Sequence, residues 1–310
     1  MKIQEMILLK DYSTFKIGGP AKYFAEVETL EGLKESIEWA QKEKEKFMIL
    51  GGGSNILFND RGFNGLVIRL VNKKIGLIGK ATISCEAGVM LSELVSFSVK
   101  NNLTGLEWAA GIPGTVGGAV RGNAGAFGSE IKDLIQKVVY FNLENLKEEK
   151  CDKSECQFDY RSSVFKEFDN KIIWQTFFEL KLAEGVDIQG TIKDVIQKRQ
   201  EKHPCLTSSG SVGSIFKNPI VGEEIIKMFE QEKGVHCKSN KVPAGWLIDM
   251  CDLKGYQVDG AQVSDKQANF ILNVDEASAE AVVVLISLIK QKVRNTFNIQ
   301  LEEEVELPGY

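Results

Sequence analysis

The spacing of apolar residues along the chain predicts several helices. Apolar side chains that recur every three or four residues lie on one face of a helix. The first such segment follows Thr29, whose hydroxyl is well suited to cap a helix N-terminus, and carries Leu30, Leu33, Ile37 and Ala40. Helices are likewise expected at 89–101, 188–196, 223–232, 244–251 and 278–297. Pro204 should end the helix that begins near 188, because proline lacks the backbone N–H that a helix interior needs.

Shorter apolar or alternating segments predict strands between these helices. They lie at 23–27, 47–50, 66–70, 81–85, 138–141, 172–182 and 268–273. The tail 299–307 alternates apolar residues with glutamates and is expected to form one more strand. The charged segment 144–155 is expected to be a solvated hairpin tip. Strands and helices mixed in this order, without an internal repeat, indicate an α+β protein.

Composition narrows the class of protein. With 310 residues, 43% hydrophobic and 26% charged, the chain is larger than one core usually supports, so two or three domains are expected. A net charge of −5 argues against a nucleic-acid partner. Segment 1–10 has no apolar signal core, and no segment has the length of a membrane span. We therefore expect a cytoplasmic protein with no membrane partner.

Metal ligands are scarce in the sequence. Its six cysteines are scattered without a C-x-x-C pair, and its two histidines are His203 and His236. This spacing matches no zinc site, so no metal is expected. A proton donor in an active site of this chain is expected to be a side chain other than imidazole.

The segment 105–128, GLEWAAGIPGTVGGAVRGNAGAFG, contains eight glycines. Ordering glycine is entropically costly, and the cost is tolerated where backbone N–H groups must approach an anion such as phosphate. The alternative is a mobile surface loop. The apolar residues interleaved with the glycines favour an anchored loop: Ile112, Pro113, Val116, Val120 and Phe127.

A second glycine-rich turn, 51–55 (GGGSN), directly follows the strand predicted at 47–50. A strand that ends in glycines again suggests a phosphate site. The G-x-G-x-x-G fingerprint and the P-loop motif are both missing, and no helix pattern follows, which disfavours a Rossmann fold. The two turns together predict a nucleotide-like cofactor held by another scaffold.

Seven segments of the chain resemble one family, the UDP-N-acetylenolpyruvoylglucosamine reductases, in sequence and in order. They are TFKIGGPAKYF at 14–24, GGGSNIL at 51–57, the loop 105–128, YRS at 160–162, GSIFKNP at 213–219, the segment 244–273 and LEEEV at 301–305. GGGSN alone would be a weak match, but GIPGTVGGAV together with GSIFKNP and LEEEV is specific.

The resemblance implies an architecture. A two-subdomain FAD-binding module of the vanillyl-alcohol-oxidase-like (PCMH) type would be followed by a C-terminal α+β substrate domain. The expected boundaries are 1–70 and 71–203 for the two FAD-binding subdomains, 204–298 for the UDP-sugar domain and 299–310 for a strand that returns to the active site. The chain is expected to be a monomer or weak oligomer.

The resemblance also implies cofactor contacts at both glycine-rich turns. The residues expected to contact FAD are Gly51, Gly52, Gly53, Ser54, Asn55, Gly111, Ile112, Pro113, Gly114, Thr115, Gly117, Gly118, Ala119, Asn123, Ala124 and Gly125. Neutral backbone donors suit a diphosphate in an acidic protein, since a hydrogen bond to a charged group contributes about 1.5–3 kcal/mol.

The implied reaction reduces the enolpyruvyl ether of UDP-N-acetylglucosamine enolpyruvate to UDP-N-acetylmuramate, a peptidoglycan precursor, with NADPH as reductant. Negative charge develops beside the substrate carboxylate, and one carbon must be protonated. The resemblance assigns enolate stabilisation to Arg161, proton donation to Ser214, and either enolate stabilisation or the proton relay to Glu304. It assigns contacts with the UDP-sugar to Tyr160, Lys202 and Asn218.

The chain departs from the family pattern at several positions. Gln267 stands where relatives often have histidine, and Arg121-Gly122 replaces a bulkier pair. The stretch 205–212 is longer than usual, and the separation of Arg161 from Ser214 matches the shorter subgroup, which lacks an extra substrate-covering loop. All three expected catalytic residues are retained.

Two other functions stay open at this point. One is a flavin oxidoreductase that acts on a different carboxylate on the same scaffold. The other is a flavin or nucleotide-sugar binding protein that has lost turnover, against which the retained Arg161, Ser214 and Glu304 argue.

Overall fold

The computed structural model describes residues 2–204, 209–237 and 239–309. The backbone forms two compact units, each built from segments distant in sequence. The first comprises Met1–Ile7, Ala21–Gly52 and Asn64–Glu201, and the second comprises Leu8–Pro20, Gly53–Phe63 and Lys202–Tyr310. The subdomain boundaries expected at 70, 203 and 298 stay predictions. Over the described residues, no helix has both the length and the apolarity needed to cross a membrane.

The first unit contains a four-stranded sheet with the order β1-β2-β4-β3. Its strands are β1 (Ile3–Leu8), β2 (Pro20–Val27), β3 (Phe47–Leu50) and β4 (Phe63–Leu70). β3 runs parallel to β4, with Phe47 opposite Leu66. Between β2 and β3 lies α1 (Leu30–Glu43), whose first turn is capped by the Thr29 hydroxyl, 3.1 Å from the Gly32 nitrogen. The predicted cap and the strand at 47–50 are therefore confirmed.

A five-stranded antiparallel sheet forms the rest of this unit's framework, in the order β11-β10-β12-β6-β5. Its strands are β5 (Ile75–Ile78), β6 (Thr82–Glu86), β10 (Ile135–Asn142), β11 (Lys147–Asp152) and β12 (Lys171–Glu179). Two small pairs accompany it: β7 (Leu103–Thr104) with β13 (Lys181–Leu182), and β8 (Gly125–Ala126) with β9 (Ser129–Glu130). The helices are α2 (Leu91–Lys100), α3 (Val116–Arg121), α4 (Val164–Glu167) and α5 (Ile188–Lys202).

Helices and sheet of the first unit share one apolar core. Leu91 and Leu94 of α2 and Val116 of α3 are fully buried in the same cluster as Val138 of β10 and Phe178 of β12. Burial of such side chains contributes about 1.5–3 kcal/mol each. The core therefore anchors α3, which lies inside the glycine-rich segment 105–128.

Several strands of the first unit were not predicted from the sequence, and β1 and β11 are the longest of them. The segment 144–155 was expected to be a hairpin tip, which is wrong for its central part: Lys147–Asp152 is β11, paired antiparallel with β10. β11 lies at the sheet edge, where main-chain hydrogen bonds to β10 hold it without an apolar pattern. β1 was missed because its residues are mostly polar or exposed.

The second unit packs helices against a three-stranded antiparallel sheet with the order β14-β15-β16. The elements are α6 (Glu223–Lys233), α7 (Ala244–Asp249), β14 (Gln257–Val258), β15 (Ala261–Val263), β16 (Ile271–Asn273) and α8 (Ala279–Phe297). The Ser278 hydroxyl caps α8, 3.0 Å from the Ala281 nitrogen. Phe15 and Leu57, far upstream in sequence, are buried in the core of this unit.

The tail does not form the strand predicted at 299–307. The tail makes only two isolated β-bridges, one between Glu306 and Ile56 and one between Glu303 and Phe216. Leu301 and Val305 are buried in the core of the second unit. Positions four apart point to the same side of an extended chain, so the predicted apolar face is present, although only isolated bridges form.

Candidate functional site

The two glycine-rich turns contact each other in the first unit. Gly51 and Gly52 follow β3, and Gly114 and Thr115 lie in the long loop. A Cβ added at Gly52 would lie 2.8 Å from the Gly114 Cα, and one at Gly51 would lie 2.6 Å from the Thr115 Oγ1. Real Cβ atoms do not approach backbone so closely, so only glycine allows this contact. The structure thus brings together two of the segments predicted to contact the cofactor.

Helix α3 continues the loop away from this contact. Thr115 is its N-cap, and the Thr115 hydroxyl accepts from the Gly118 nitrogen at 3.4 Å. A Cβ at Gly117 would lie 2.8 Å from the Ala87 Cβ, and the Gly117 nitrogen donates to the Ala87 carbonyl at 2.9 Å. Glycine at this position therefore allows α3 to pack closely against Ala87, the residue that follows β6. The sequence analysis did not predict this helix, because glycines interrupt the helical spacing of its buried residues Val116, Ala119 and Val120.

Arg199 of α5 holds the start of the same loop. Its Nε donates to the Ala110 carbonyl at 2.8 Å and its Nη2 donates to the Trp108 carbonyl at 2.9 Å. The guanidinium carbon also lies 5.0 Å from the centre of the Phe127 ring. Burial lowers the pKa of Arg199 from its ordinary value, yet arginine stays charged at neutral pH. A fixed positive charge therefore lies at the base of the proposed phosphate loop.

Three hydrogen bonds join the glycine-rich loop to the segment that contains Arg161. They run from Asn123 Nδ2 to the Asp159 carbonyl (2.8 Å), from Arg161 Nη2 to the Gly125 carbonyl (3.1 Å) and from Ser163 Oγ to the Arg121 carbonyl (2.7 Å). Asn123 is fully buried, and its Oδ1 also accepts from the Lys132 nitrogen at 3.2 Å. The Asn123 side chain thus has a structural task besides its predicted cofactor contact.

The backbone around Arg161 is a tight turn. Asp159 and Ser162 exchange main-chain hydrogen bonds of 3.1 Å in both directions, and Arg161 has a φ of 57°. A non-glycine residue in this left-handed region costs free energy, and such conformations cluster at functional sites. The Arg161 guanidinium carbon lies 5.2 Å from the centre of the Tyr160 ring.

The geometry fits a nucleotide cofactor with an anionic linker. Where Gly52 meets Gly114 and Thr115, the approach is backbone to backbone, and a Cβ would fill it. Successive N–H groups in such turns bind phosphate, and the Arg199 charge complements them. FAD has this chemistry, with Gly51, Gly52, Gly111–Thr115 and α3 as the residues that would hold it.

In the second unit, a buried asparagine positions the segment of Ser214. Asn269 is 5% exposed; its Oδ1 accepts from the Phe216 nitrogen at 3.0 Å and its Nδ2 donates to the Phe216 carbonyl at 2.9 Å. The Ile215 nitrogen donates to the Asn269 carbonyl at 2.8 Å, and Ser214 bridges to Phe270. The residues next to Ser214 are therefore locked to the strand end before β16.

The tail places Glu304 beside this segment. The Glu304 nitrogen donates to the Ile215 carbonyl at 2.7 Å, and the Glu304 carbonyl accepts from Asn55 Nδ2 at 3.0 Å. Ser214 and Glu304 thus lie on directly neighbouring backbone segments. The GGGSN and LEEEV motifs also meet here, since the Glu306 nitrogen donates to the Asn55 carbonyl at 3.0 Å.

Three residues near Ser214 and Glu304, namely Ser211, Glu302 and Glu303, have structural partners of their own. Ser211 is 1% exposed, and its hydroxyl donates to the Ile271 carbonyl at 2.8 Å, which is a structural role. Glu302 forms an ion pair with Lys217 at 3.3 Å, and Glu303 forms one with Lys290 at 2.7 Å. Ser214, by contrast, is half-buried.

The remaining predicted residues belong to both units. Tyr160 is half-buried beside Arg161, and Lys202 is exposed as the last residue of α5. The Asn218 Oδ1 accepts from the Ala244 nitrogen at 3.0 Å, at the start of α7. Gln267 Oε1 accepts from the Asn269 nitrogen at 3.4 Å. Of the lengthened stretch 205–212, residues 205–208 lie outside the described residues.

Arg199 and Asn269 were missed by the sequence reasoning. Arg199 lies four residues after the buried Val195, so it falls on the apolar face of α5, and a charged residue there is a usable signal. Asn269 lies in a matched segment, but nothing in its neighbours marks it. Within residues 2–204, 209–237 and 239–309, no group of three or more His, Cys, Asp or Glu side chains is placed to hold a metal ion.

Two family models match the chain. The model "FAD binding domain" matches residues 21–142, and "UDP-N-acetylenolpyruvoylglucosamine reductase, C-terminal domain" matches residues 203–308. Together they confirm the predicted fold class, an α+β FAD-binding module followed by a C-terminal domain. The cofactor of this chain is therefore FAD.

Relatives match over nearly the whole length. The UDP-N-acetylenolpyruvoylglucosamine reductase of Solibacter usitatus is 34% identical, over 96% of this chain and 94% of that protein. That of Caldicellulosiruptor bescii is 37% identical, over 97% and 89%. The crystal structure of the reductase (MurB) from Thermus caldophilus is 31% identical with a TM-score of 0.78, over 99% of both chains. The chain therefore belongs to the UDP-N-acetylenolpyruvoylglucosamine reductase family.

Proposed function

We propose that this protein reduces the enolpyruvyl ether of UDP-N-acetylglucosamine enolpyruvate to UDP-N-acetylmuramate for peptidoglycan synthesis. Membership of the family supports this activity. The observation that carries it is the hydrogen bond from the Glu304 nitrogen to the Ile215 carbonyl. That bond brings the family's motif serine and motif glutamate onto adjacent backbone, as a shared proton-transfer task requires.

The chemistry divides between cofactor and protein. Bound FAD, reduced by NADPH, would supply the hydride to the methylene carbon of the substrate. The protein must then stabilise the negative charge that develops beside the carboxylate, and must protonate the adjacent carbon.

Arg161 is proposed to bind the substrate carboxylate. Its planar guanidinium can form two parallel hydrogen bonds with a carboxylate. The turn at Asp159–Ser162 and the bond to the Gly125 carbonyl support this role, because they fix the direction in which the side chain leaves the backbone.

Ser214 is proposed to deliver the proton. An aliphatic hydroxyl is a poor acid in water, so it needs a group that relays a proton to it. Glu304 on the neighbouring backbone suits that task. The relay is a better role for Glu304 than enolate stabilisation, because an ionised carboxylate would repel the developing negative charge.

Recognition of the UDP-sugar is proposed for Tyr160, Lys202 and Asn218. The exposed Lys202 ammonium is a compact charge suited to a diphosphate. Since the Asn218 Oδ1 accepts from the start of α7, a contact with the sugar would come from its amide nitrogen.

The activity is tested by NADPH consumption of the purified FAD-loaded protein, with and without UDP-N-acetylglucosamine enolpyruvate. We expect consumption that depends on this substrate and a product with the mass of UDP-N-acetylmuramate. NADPH oxidation that ignores this substrate but responds to another carboxylic acid would instead identify a different flavin oxidoreductase.

Replacing Ser214 with alanine tests the proton donor. We expect flavin reduction by NADPH to be unchanged, while reoxidation by the substrate slows by about 10²–10⁴-fold, the usual loss on removing a general acid. Stopped-flow absorbance of the flavin separates the two half-reactions. Ser211→Ala is the matched control: it should lower the unfolding midpoint and leave the substrate half-reaction within a few-fold. Equal effects of the two variants on that half-reaction would contradict the assignment of Ser214 as the proton donor.

Replacing Arg199 with glutamine tests whether its contacts position the glycine-rich loop for FAD binding. Arg199→Gln removes the charge and at least one of two hydrogen bonds to loop carbonyls, each contributing about 1.5–3 kcal/mol. We expect the FAD dissociation constant of the apoprotein to rise by about 10–100-fold, measured by quenching of flavin fluorescence. Lys198→Gln, on the exposed neighbouring position of α5, is the control and should leave it unchanged. Unaltered affinity in Arg199→Gln would contradict a role in positioning the loop.

A further inference from the structure

Two cysteine sulfurs lie in contact in the first unit. The Sγ atoms of Cys151 and Cys156 are 3.5 Å apart. Cys151 lies in β11 opposite Val138 of β10, and Cys156 follows five residues later. Both are free thiols, and neither has a part in the proposed reduction of the UDP-sugar.

A short turn brings the second sulfur back to the first. The Glu155 nitrogen donates to the Asp152 carbonyl at 3.0 Å, and the Asp152 nitrogen donates to Glu155 Oε2 at 2.8 Å. The Cys156 Sγ donates to the Asp152 carbonyl at 3.4 Å. The turn therefore holds the thiols together before any bond forms between them, and a disulfide would need only a small movement of the two side chains.

The two thiols are not equivalent. Cys156 is fully buried, whereas Cys151 is partly exposed at the sheet edge. The hydrogen bond between the two sulfurs lowers the pKa of the Cys151 thiol, against the opposing effect of burial. The same bond and burial raise the pKa of Cys156. An exposed thiol that ionises first, backed by a buried partner in contact, is the arrangement of redox-active dithiols.

We propose that Cys151 and Cys156 form a redox-active dithiol that is oxidised by low-molecular-weight disulfides to an intramolecular disulfide. The Cys151 thiolate attacks one sulfur of the small disulfide and expels the first small thiolate. Cys156 then loses its proton to solvent and attacks the Cys151 sulfur, which expels the second small thiolate. The protein loses two electrons and two protons, and the small disulfide becomes two thiols.

The pair lies at the base of the segment that carries Tyr160 and Arg161. The Cys156 carbonyl accepts from the Val164 nitrogen at 3.0 Å, which closes this segment into a loop. A disulfide would covalently link the base of this loop, at Cys156, to Cys151 in the edge strand β11. The dithiol chemistry itself needs neither FAD nor the UDP-sugar, so it stands or fails independently of the proposed function.

Peptide mapping of the FAD-loaded protein tests the proposal directly. The protein is incubated with glutathione disulfide, the remaining thiols are alkylated, and the chain is cleaved with trypsin. Cleavage after Lys150, Lys153 and Arg161 places the two cysteines on separate peptides, 151–153 and 154–161. We expect these peptides to be joined by a bond that dithiothreitol breaks. Full alkylation of both peptides, or a stable glutathione adduct on Cys151 in the wild-type protein, would overturn the proposal.

Single variants test the order of attack. Cys156→Ser should trap the glutathione adduct on Cys151, whereas Cys151→Ser should slow the first reaction at this site by at least about tenfold, since the buried Cys156 thiol ionises poorly. Cys251→Ser is the matched control: Cys251 is partly exposed and contacts Thr296 Oγ1 at 3.7 Å, and its loss should leave the joined peptides unchanged. An equally fast adduct in Cys151→Ser would contradict the assignment of Cys151 as the attacking thiol.

Discussion

The contact between Gly51-Gly52 and Gly114-Thr115 is the constraint on which the proposed cofactor site depends. The two chain segments approach so closely that a Cβ at position 51 or 52 would collide with Thr115 or Gly114. The parallel pairing of β3 with β4 delivers the first segment, and the packing of α3 on Ala87 holds the second. Arg199 fixes the loop from its other end through the carbonyls of Trp108 and Ala110. The site is thus rigid although it is poor in side chains, which suits a cofactor bound through backbone N–H groups.

The proposed catalytic residues of the second unit depend on backbone in the same way. Glu304 is positioned by the Ile215 carbonyl and by Asn55 Nδ2, and the strand-like path of Ser214–Phe216 is fixed by Asn269. None of these contacts involves the hydroxyl of Ser214. The framework can therefore survive changes to that side chain, which makes it possible to separate chemistry from stability by mutation.

The sequence predicted the segments of the site better than the contacts between them. Glycine-rich turns and a helix cap such as Thr29 are local signals, readable within a few residues. The roles of Arg161, Ser214 and Glu304 came instead from the family resemblance. Arg199 acts on carbonyls 89 and 91 positions away, and Asn269 acts on Phe216 53 positions away; no local pattern encodes such pairs. β11 and the tail were misjudged for a related reason, since an edge strand and two isolated bridges are determined by partner backbone rather than by their own apolar period.

The measurement that tests this account most directly is FAD binding by Gly52→Ala, compared with Gly76→Ala. The Cβ at position 52 would meet the Gly114 backbone at 2.8 Å, whereas nothing lies within 4 Å of a Cβ at position 76. Overpacking of this kind costs about 1–3 kcal/mol, so we predict an FAD dissociation constant about 5–150-fold higher for Gly52→Ala and unchanged for Gly76→Ala. Far-UV circular dichroism confirms that both apoproteins are folded. Equal, wild-type affinity in the two folded variants would show that the contact between the glycine-rich turns does not form the FAD site.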